Sequence, residues 1–291
     1  MDSTVSGAIL PEMLNKAVTS TVSLALEEDI GSGDLTAKLL RSEQQAIATI
    51  ISREKAVLCG IPWVNECFRQ LDASILIDWK ASEGDHIAAA QTLCEIRGSA
   101  RAMLTAERCA LNFLQSLSAT ATITRRYVDA IEGTKAQIFD TRKTLPGLRL
   151  AQKYAVTIGG GKNHRLGLHD GILVKENHIA AAGSIEAALH AAQKMVENHQ
   201  VPIQIEVESL SQLQTALDCG AKLILLDNFN LQALRDAVKL NNGRAVLEAS
   251  GGIGLENVRE IAITGVDRIS IGSITKNLKA IDLSMRFRAQ P

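Results

Sequence analysis

After Gly133 the chain alternates strand-length apolar runs with helix-length amphipathic segments, and this rhythm restricts its possible folds more than any other feature. Strands are predicted at Gln137–Phe139, Gly171–Val174, Pro202–Val207, Lys222–Leu226, Ala245–Glu248 and Asp267–Ile271. Helices are predicted between the later ones, at Ser184–Glu197, Leu210–Asp218, Leu231–Leu240 and Leu255–Thr264. Strand and helix in turn give parallel strands covered by helices, an α/β architecture. Six such strands are fewer than a complete (β/α)8 barrel requires.

The same strands end on polar residues: Arg142 and Lys143, Lys175, Glu206 and Glu208, Asp227, Ser250-Gly251-Gly252, and Gly272-Ser273. In a β/α barrel those ends converge on one face, where ligands bind. One polar loop is ordinary. Six in register with strand ends point to a site.

Upstream of Gly133 the pattern differs. Pro11–Glu28 has helical spacing, AIATIISREKAVLCG and SILIDWK read as strands, and Pro62–Leu71 as a helix between them. Glu83–Ile96 resembles the turn-and-strand pattern of lipoyl-type sandwich domains but lacks a Met-Lys-Met hairpin tip, so it is scaffold. Thr105 is predicted to cap a helix whose buried stripe is Ala110, Leu111, Leu114 and Leu117, with Arg108, Asn112 and Gln115 on its polar side. LKAIDLSMRFR near the end reads as a closing helix or strand that returns to the first domain.

Charge narrows the ligand. The 291 residues carry a formal net charge of -1, yet Arg142, Lys143, Arg149, Lys153, Lys162, His164, Arg165 and Lys175 fall in one short stretch. A cationic focus on a near-neutral chain suits a small anion rather than a polyanion. With aromatic residues at only 3%, base stacking has few platforms, so nucleic acid is not an expected partner. Five scattered cysteines without a C-x-x-C pair are expected to be reduced thiols. MDSTVSGAILPEML has no basic n-region and no run is long enough to span a membrane, so a cytoplasmic location without membrane contact is expected.

Arg142, Lys143, His164, Arg165 and Lys175 offer donors for carboxylates and phosphates. Glu206 and Asp227, on successive strand ends, suit Mg2+ or ribose hydroxyls. Ser250-Gly251-Gly252-Ile-Gly before a helix resembles a phosphate cradle, which Gly272-Ser273 can complete. Gly159-Gly-Gly-Lys-Asn is no Walker loop, since Val156 and Asn163 stand where that motif needs Gly and Ser or Thr.

DTRKTLPGLR from Asp140, KYAV followed by GGGKNHRLGLHD from Lys153, and LVKENH from Leu173 resemble the motifs of the quinolinate phosphoribosyltransferases. ALEEDIGSGDLTAKLL, TAERCALNFLQSLS, EVE, LLDN, EASGGI and ISIGSITK extend the resemblance over most of the chain. It implies a seven-stranded, incomplete α/β barrel preceded by an N-terminal α/β sandwich, with domains expected at 1–117, joined by 275–291, and at 118–274. It also implies quinolinate and phosphoribosyl pyrophosphate (PRPP) as substrates, with Mg2+ as cofactor. Lys143, Glu206 and Asp227 would be catalytic, and Glu206 and Asp227 would hold the metal directly or through water. Arg108, Thr141, Arg142, His164, Arg165 and Lys175 would bind quinolinate. Ser250, Gly251, Gly252, Gly272 and Ser273 would bind the PRPP phosphate. Arg108 would come from the other subunit of a homodimer, and Cys109 beside it replaces the family's common Thr.

Two other enzyme classes stay open at this point. One is a non-decarboxylating nicotinate phosphoribosyltransferase or the molybdenum-associated paralogue, for which fewer basic residues suffice. The other is a Schiff-base aldolase using Lys175 at its strand end.

Overall fold

The computed structural model describes residues 7–196 and 201–288. The first six residues of MDSTVSGAILPEML and Glu197 lie outside that range. Along the chain come α1 (Pro11–Ile30), β1 (Gln45–Ser52), β2 (Ala56–Val57), α2 (Ile61–Leu71), β3 (Leu76–Trp79), β4 (His86–Ile87), β5 (Thr92–Ser99) and α3 (Ala100–Ala130). Next are β6 (Gln137–Phe139), α4 (Arg149–Ile158), β7 (Ile172–Val174), α5 (Glu176–Ala182), α6 (Ile185–Met195), β8 (Ile203–Val207) and α7 (Leu210–Asp218). The last are β9 (Leu223–Asp227), α8 (Leu231–Asn241), β10 (Val246–Ser250), α9 (Val258–Ile263), β11 (Arg268–Ser270), α10 (Ser273–Lys276) and β12 (Leu283–Phe287).

Two compact units result. One takes Ile9–Arg125, Leu145–Gly160 and the chain from Asn277; the other takes Arg126–Thr144 and Gly161–Lys276. The first holds an antiparallel sheet of order β12-β1-β5-β3, in which β12 pairs with β1 from Ala48↔Phe287 to Ser52↔Leu283. Within LKAIDLSMRFR, the segment Leu283–Phe287 is therefore a strand of this sheet. Helices α1, α2 and α3 add to the same core Val18, Val22 and Leu26, then Trp63, Val64 and Phe68, then Met103, Ala106, Ala110 and Leu114. Trp63 is fully buried, stacks with Phe113 at 6.4 Å, and donates its indole N–H to Thr21 Oγ1 at 3.0 Å. Such an aromatic contributes about 3–5 kcal/mol, judged by the cost of truncating it.

Thr105 does not begin a helix. α3 starts at Ala100, directly after β5, because Ala100-Arg101-Ala102-Met103-Leu104 is a run of strong helix formers. Thr105 sits in its second turn, and its hydroxyl donates to Asp34 Oδ2 at 2.9 Å and to the Arg101 carbonyl at 3.0 Å.

The second unit holds a parallel sheet of order β6-β11-β10-β9-β8-β7. Three of its helices open alike. Ser184, Ser209 and Asn230 each accept a backbone N–H from the residue three places on, capping α6, α7 and α8. The seventh strand that the resemblance implies is, among the described residues, a single parallel bridge between Lys162 and Phe139. Lys162 N donates to the Ile138 carbonyl at 2.8 Å and its carbonyl accepts from Asp140 N at 3.1 Å. The glycines at 159–161 leave no side chains with which to extend that edge.

Register decides which residues share a face. Leu173 pairs with Gln204, Glu206 with Leu225, Glu248 with Leu225 and with Arg268, and Ser250 with Asp227. Residues two apart on a strand point the same way. Gln204, Glu206, Leu225, Asp227, Glu248, Ser250, Arg268 and Ser270 thus lie on one face. The other face carries Ile205, Val207, Ile224, Leu226, Leu247, Ala249 and Ile269, all apolar. One face of the parallel sheet thus gathers these polar side chains among leucines, and the other is apolar throughout.

Candidate active site

Every polar strand end named from the sequence lies in the parallel-sheet unit, at or just beyond the C-terminal end of its strand. Lys175 caps α5 with extended backbone, two residues beyond Leu173, so it continues the face that carries Glu206. Their side chains meet: Lys175 Nζ donates to Glu206 Oε2 at 2.6 Å, with Glu206 nearly buried and Lys175 partly exposed. Each group offsets the charge of the other. Asp227 ends β9 and accepts from Asn228 Nδ2 at 2.8 Å.

Beyond β6, the chain from Asp140 to Lys143 is tied to the loop after β11. The Thr275 hydroxyl donates to the Lys143 carbonyl at 2.7 Å, and Lys143 N donates to Thr141 Oγ1 at 3.0 Å. The Lys143 stem lies over Gly272, where a Cβ would stand 3.0 Å from Lys143 Cδ. Glycine is what lets the lysine cross that strand end. Ser273 opens the one-turn helix α10, with its hydroxyl 3.5 Å from Tyr127 OH.

Arg142 and Arg165 are close enough that the positive charge of one disfavours the other. Burial first, and then Arg142, lower the pKa of Arg165 from its ordinary value, while Asp170 opposes them. Arg165 Nη1 donates to the Gly171 carbonyl at 3.0 Å, and the intervening turn is closed by Asp170, which accepts Leu166 N at 2.7 Å and Gly167 N at 2.8 Å. Arg142 Nε is buried without a hydrogen-bond partner among the described residues. Two guanidiniums held against their mutual repulsion gain from an anion placed between them.

His164 begins this turn. Its backbone N–H donates to Asp140 Oδ1 at 2.8 Å, its Nδ1 accepts Arg165 N–H at 2.9 Å, and its Nε2 lies 2.7 Å from Gln204 Oε1. Gln204 Nε2 in turn donates to Glu248 Oε2 at 3.0 Å. Gln204 and Glu248 were not singled out from the sequence as site residues. The signal was available: both occupy the register of Glu206 and Ser250 within strands whose alternate residues are apolar.

The Ser250 loop differs from the expected cradle in one respect. The helix begins at Val258 rather than Leu255, because Asn257 folds back to accept Gly254 N at 2.9 Å and to donate to the Gly252 carbonyl at 3.1 Å. Gly251 has φ 98°, and a Cβ there would stand 2.1 Å from Asn228 Oδ1, so no side chain fits. Ser250 remains beside Asp227 by register. Arg108, exposed on α3, belongs to the antiparallel unit.

Residues 120–286 match the family "Quinolinate phosphoribosyl transferase, C-terminal domain", and residues 34–118 match the corresponding N-terminal domain family. Fold and matches together define a phosphoribosyltransferase of the α/β-barrel type. A probable nicotinate-nucleotide pyrophosphorylase (carboxylating) of Bacillus subtilis is 42% identical over 89% of this chain and 89% of its own. The Mycobacterium leprae enzyme of that description is 40% identical over 92% and 96%. The solved nicotinate-nucleotide pyrophosphorylase of Francisella tularensis superposes with a TM-score of 0.92 at 44% identity, covering 98% of this chain and all of that one. The chain belongs to the quinolinate phosphoribosyltransferase family, and its activity is quinolinate phosphoribosyl transfer in NAD biosynthesis.

Proposed function

We propose that the polar strand ends carry out this transfer with the following division of labour. Arg142, Arg165 and Lys175, with Thr141 and His164 beside them, hold the two carboxylates of quinolinate. The observation that carries the assignment is the Arg142–Arg165 repulsion, since a dicarboxylate supplies the charge those groups lack. Ser250, Gly251, Gly252, Gly272 and Ser273 hold the PRPP phosphate through a turn open to close approach. The pyridine nitrogen forms a bond to C1′ as the bond from C1′ to pyrophosphate breaks. Glu206 and Asp227 stabilise the positive charge that develops on the ribose, and Lys143 takes the charge of the departing pyrophosphate. The quaternised ring then releases its 2-carboxylate as CO2; the electron pair stays on C2, which takes a proton from solvent.

The acidic pair fits a hard cation. Among the described residues no three His, Cys, Asp or Glu side chains gather as a metal site, and Glu206 and Asp227 are each already engaged through one oxygen. A Mg2+ bound chiefly by phosphate and water, with one or two carboxylates, asks no more than that. Held by Glu206 and Asp227, such an ion would supply positive charge for the departing pyrophosphate. We also place the enzyme in the cytoplasm, a reading supported by five free cysteines, four of them buried. No helix among the described residues is long and apolar enough to cross a membrane. Lys175 is engaged with Glu206, and membership of the family leaves the Schiff-base alternative without support.

We assign Arg108 to the site of a second subunit, supported by its exposure on α3. Mixing inactive Arg108→Ala and Lys143→Ala subunits is expected to restore activity, since one hybrid site has both groups; no recovery sinks the shared site. The reaction itself is checked with quinolinate labelled in its 2-carboxyl. Labelled CO2 is expected only with PRPP and Mg2+ both present, and none is expected to accompany turnover of nicotinate. Conversion of nicotinate without release from quinolinate would replace the dicarboxylate by a monocarboxylate substrate.

A further inference from the structure

Behind the strand ends, the polar face of the parallel sheet contains a hydrogen-bonded chain that ends at the arginine turn. Glu248 is fully buried on β10, one pleat behind Ser250, and Gln204 is buried on β8, one pleat behind Glu206. Arg268 stands beside Glu248 in register on the same face. A glutamate carboxylate only accepts hydrogen bonds. Its Oε2 therefore fixes the Gln204 amide with Nε2 toward Glu248 and Oε1 toward His164. Facing an acceptor at 2.7 Å, His164 Nε2 must carry the proton. Glu248 Oε1 lies 3.7 Å from the same nitrogen and has no hydrogen-bond partner among the described residues, which favours a proton there further. Nδ1 is then left with its lone pair, and that lone pair accepts the Arg165 backbone N–H at 2.9 Å.

We propose that Glu248 and Gln204 are positioning residues that act through His164: they select the imidazole tautomer that anchors the Arg165 backbone, and so place its guanidinium to receive a carboxylate of the pyridine substrate. The last clause rests on the substrate assignment above. The tautomer itself does not. Both ring nitrogens are engaged within the protein, so His164 contributes to the carboxylate site by holding Arg165. With the proton on Nδ1 instead, two N–H groups would face each other and the turn would lose its anchor.

The test is nitrogen-15 NMR of protein labelled in its six histidines, with the His164 signals identified by their loss in His164→Asn. In the wild-type enzyme Nδ1 is expected unprotonated and Nε2 protonated; the reverse overturns the proposal without any variant or substrate. In Glu248→Gln the new side chain can donate as well as accept, so the Gln204 amide is no longer held, and His164 is expected to show Nδ1 protonation. The same variant is expected to raise the KM for quinolinate about tenfold, the loss of one hydrogen bond's worth of placement, against smaller changes in kcat and in the KM for PRPP. An unchanged tautomer in Glu248→Gln, or equal losses for both substrates with a lowered Tm, would make the chain a purely structural one. If quinolinate were not the substrate, its KM would be uninformative while the NMR result would still decide for or against the tautomer.

Discussion

Replacing Lys143 by alanine is expected to lower kcat by about 10²–10³, the usual cost of removing one preorganised group from developing charge. The KM for quinolinate is expected to stay within a few-fold of wild type. Lys143 is exposed, yet its backbone is clamped on both sides, by Thr275 at its carbonyl and Thr141 at its amide. A flexible ammonium group on a fixed stem that lies over Gly272 is suited to a charge that appears only as pyrophosphate departs. Steady-state kinetics with both substrates checks this. A raised KM for PRPP with kcat intact would show that Lys143 contributes uniform binding and no preference for the transition state.

Arg165→Ala is expected to raise the KM for quinolinate by about 10², consistent with ~1.5–3 kcal/mol for each hydrogen bond to a charged group. Arg165→Lys is expected to recover little, because a point charge does not replace the planar fork that the Gly171 carbonyl and the Asp170-closed turn hold in place. The effect is also expected to be non-additive with Arg142→Ala. Removing either guanidinium relieves the repulsion felt by the other, so the double variant should lose less than the sum of the single losses. Strict additivity in a double-mutant cycle, read from KM for quinolinate, would mean that the two arginines serve separate anions.

Much of this arrangement was visible in the sequence because a parallel strand writes its two faces as alternating letters. The predicted spans at Gln137–Phe139 and Leu210–Asp218 coincide with β6 and α7, and the other strands of the sheet begin or end within two residues of expectation. Departures occur where local propensity competes with a nearby hydrogen bond. Thr105 has the chemistry of a cap, but the residues before it form helix as readily as those after. Leu255 follows the glycines as a helix start should, but Asn257 first closes the loop. The seventh strand shrinks to Lys162 because only a backbone bridge to Phe139 is made there. What sequence alone does not reveal is the tie from His164 to Gln204 and Glu248, whose members are 40 and 44 residues apart. Each is an unremarkable polar residue until strand register brings it beside the next.

The pairing of β12 with β1 orders events on the ribosome. Translation proceeds from the amino end, so β1, β3 and β5 and all the strands of the parallel sheet emerge before residues 283–287 do. Throughout that interval the edge of β1 from Ala48 to Ser52 has no neighbour from its own chain. An open strand edge is a template for pairing with another molecule. The unit begun first is thus the last whose sheet can be completed, and a nascent chain halted before Leu283 would carry a finished set of barrel strands beside a sheet still missing its outermost member.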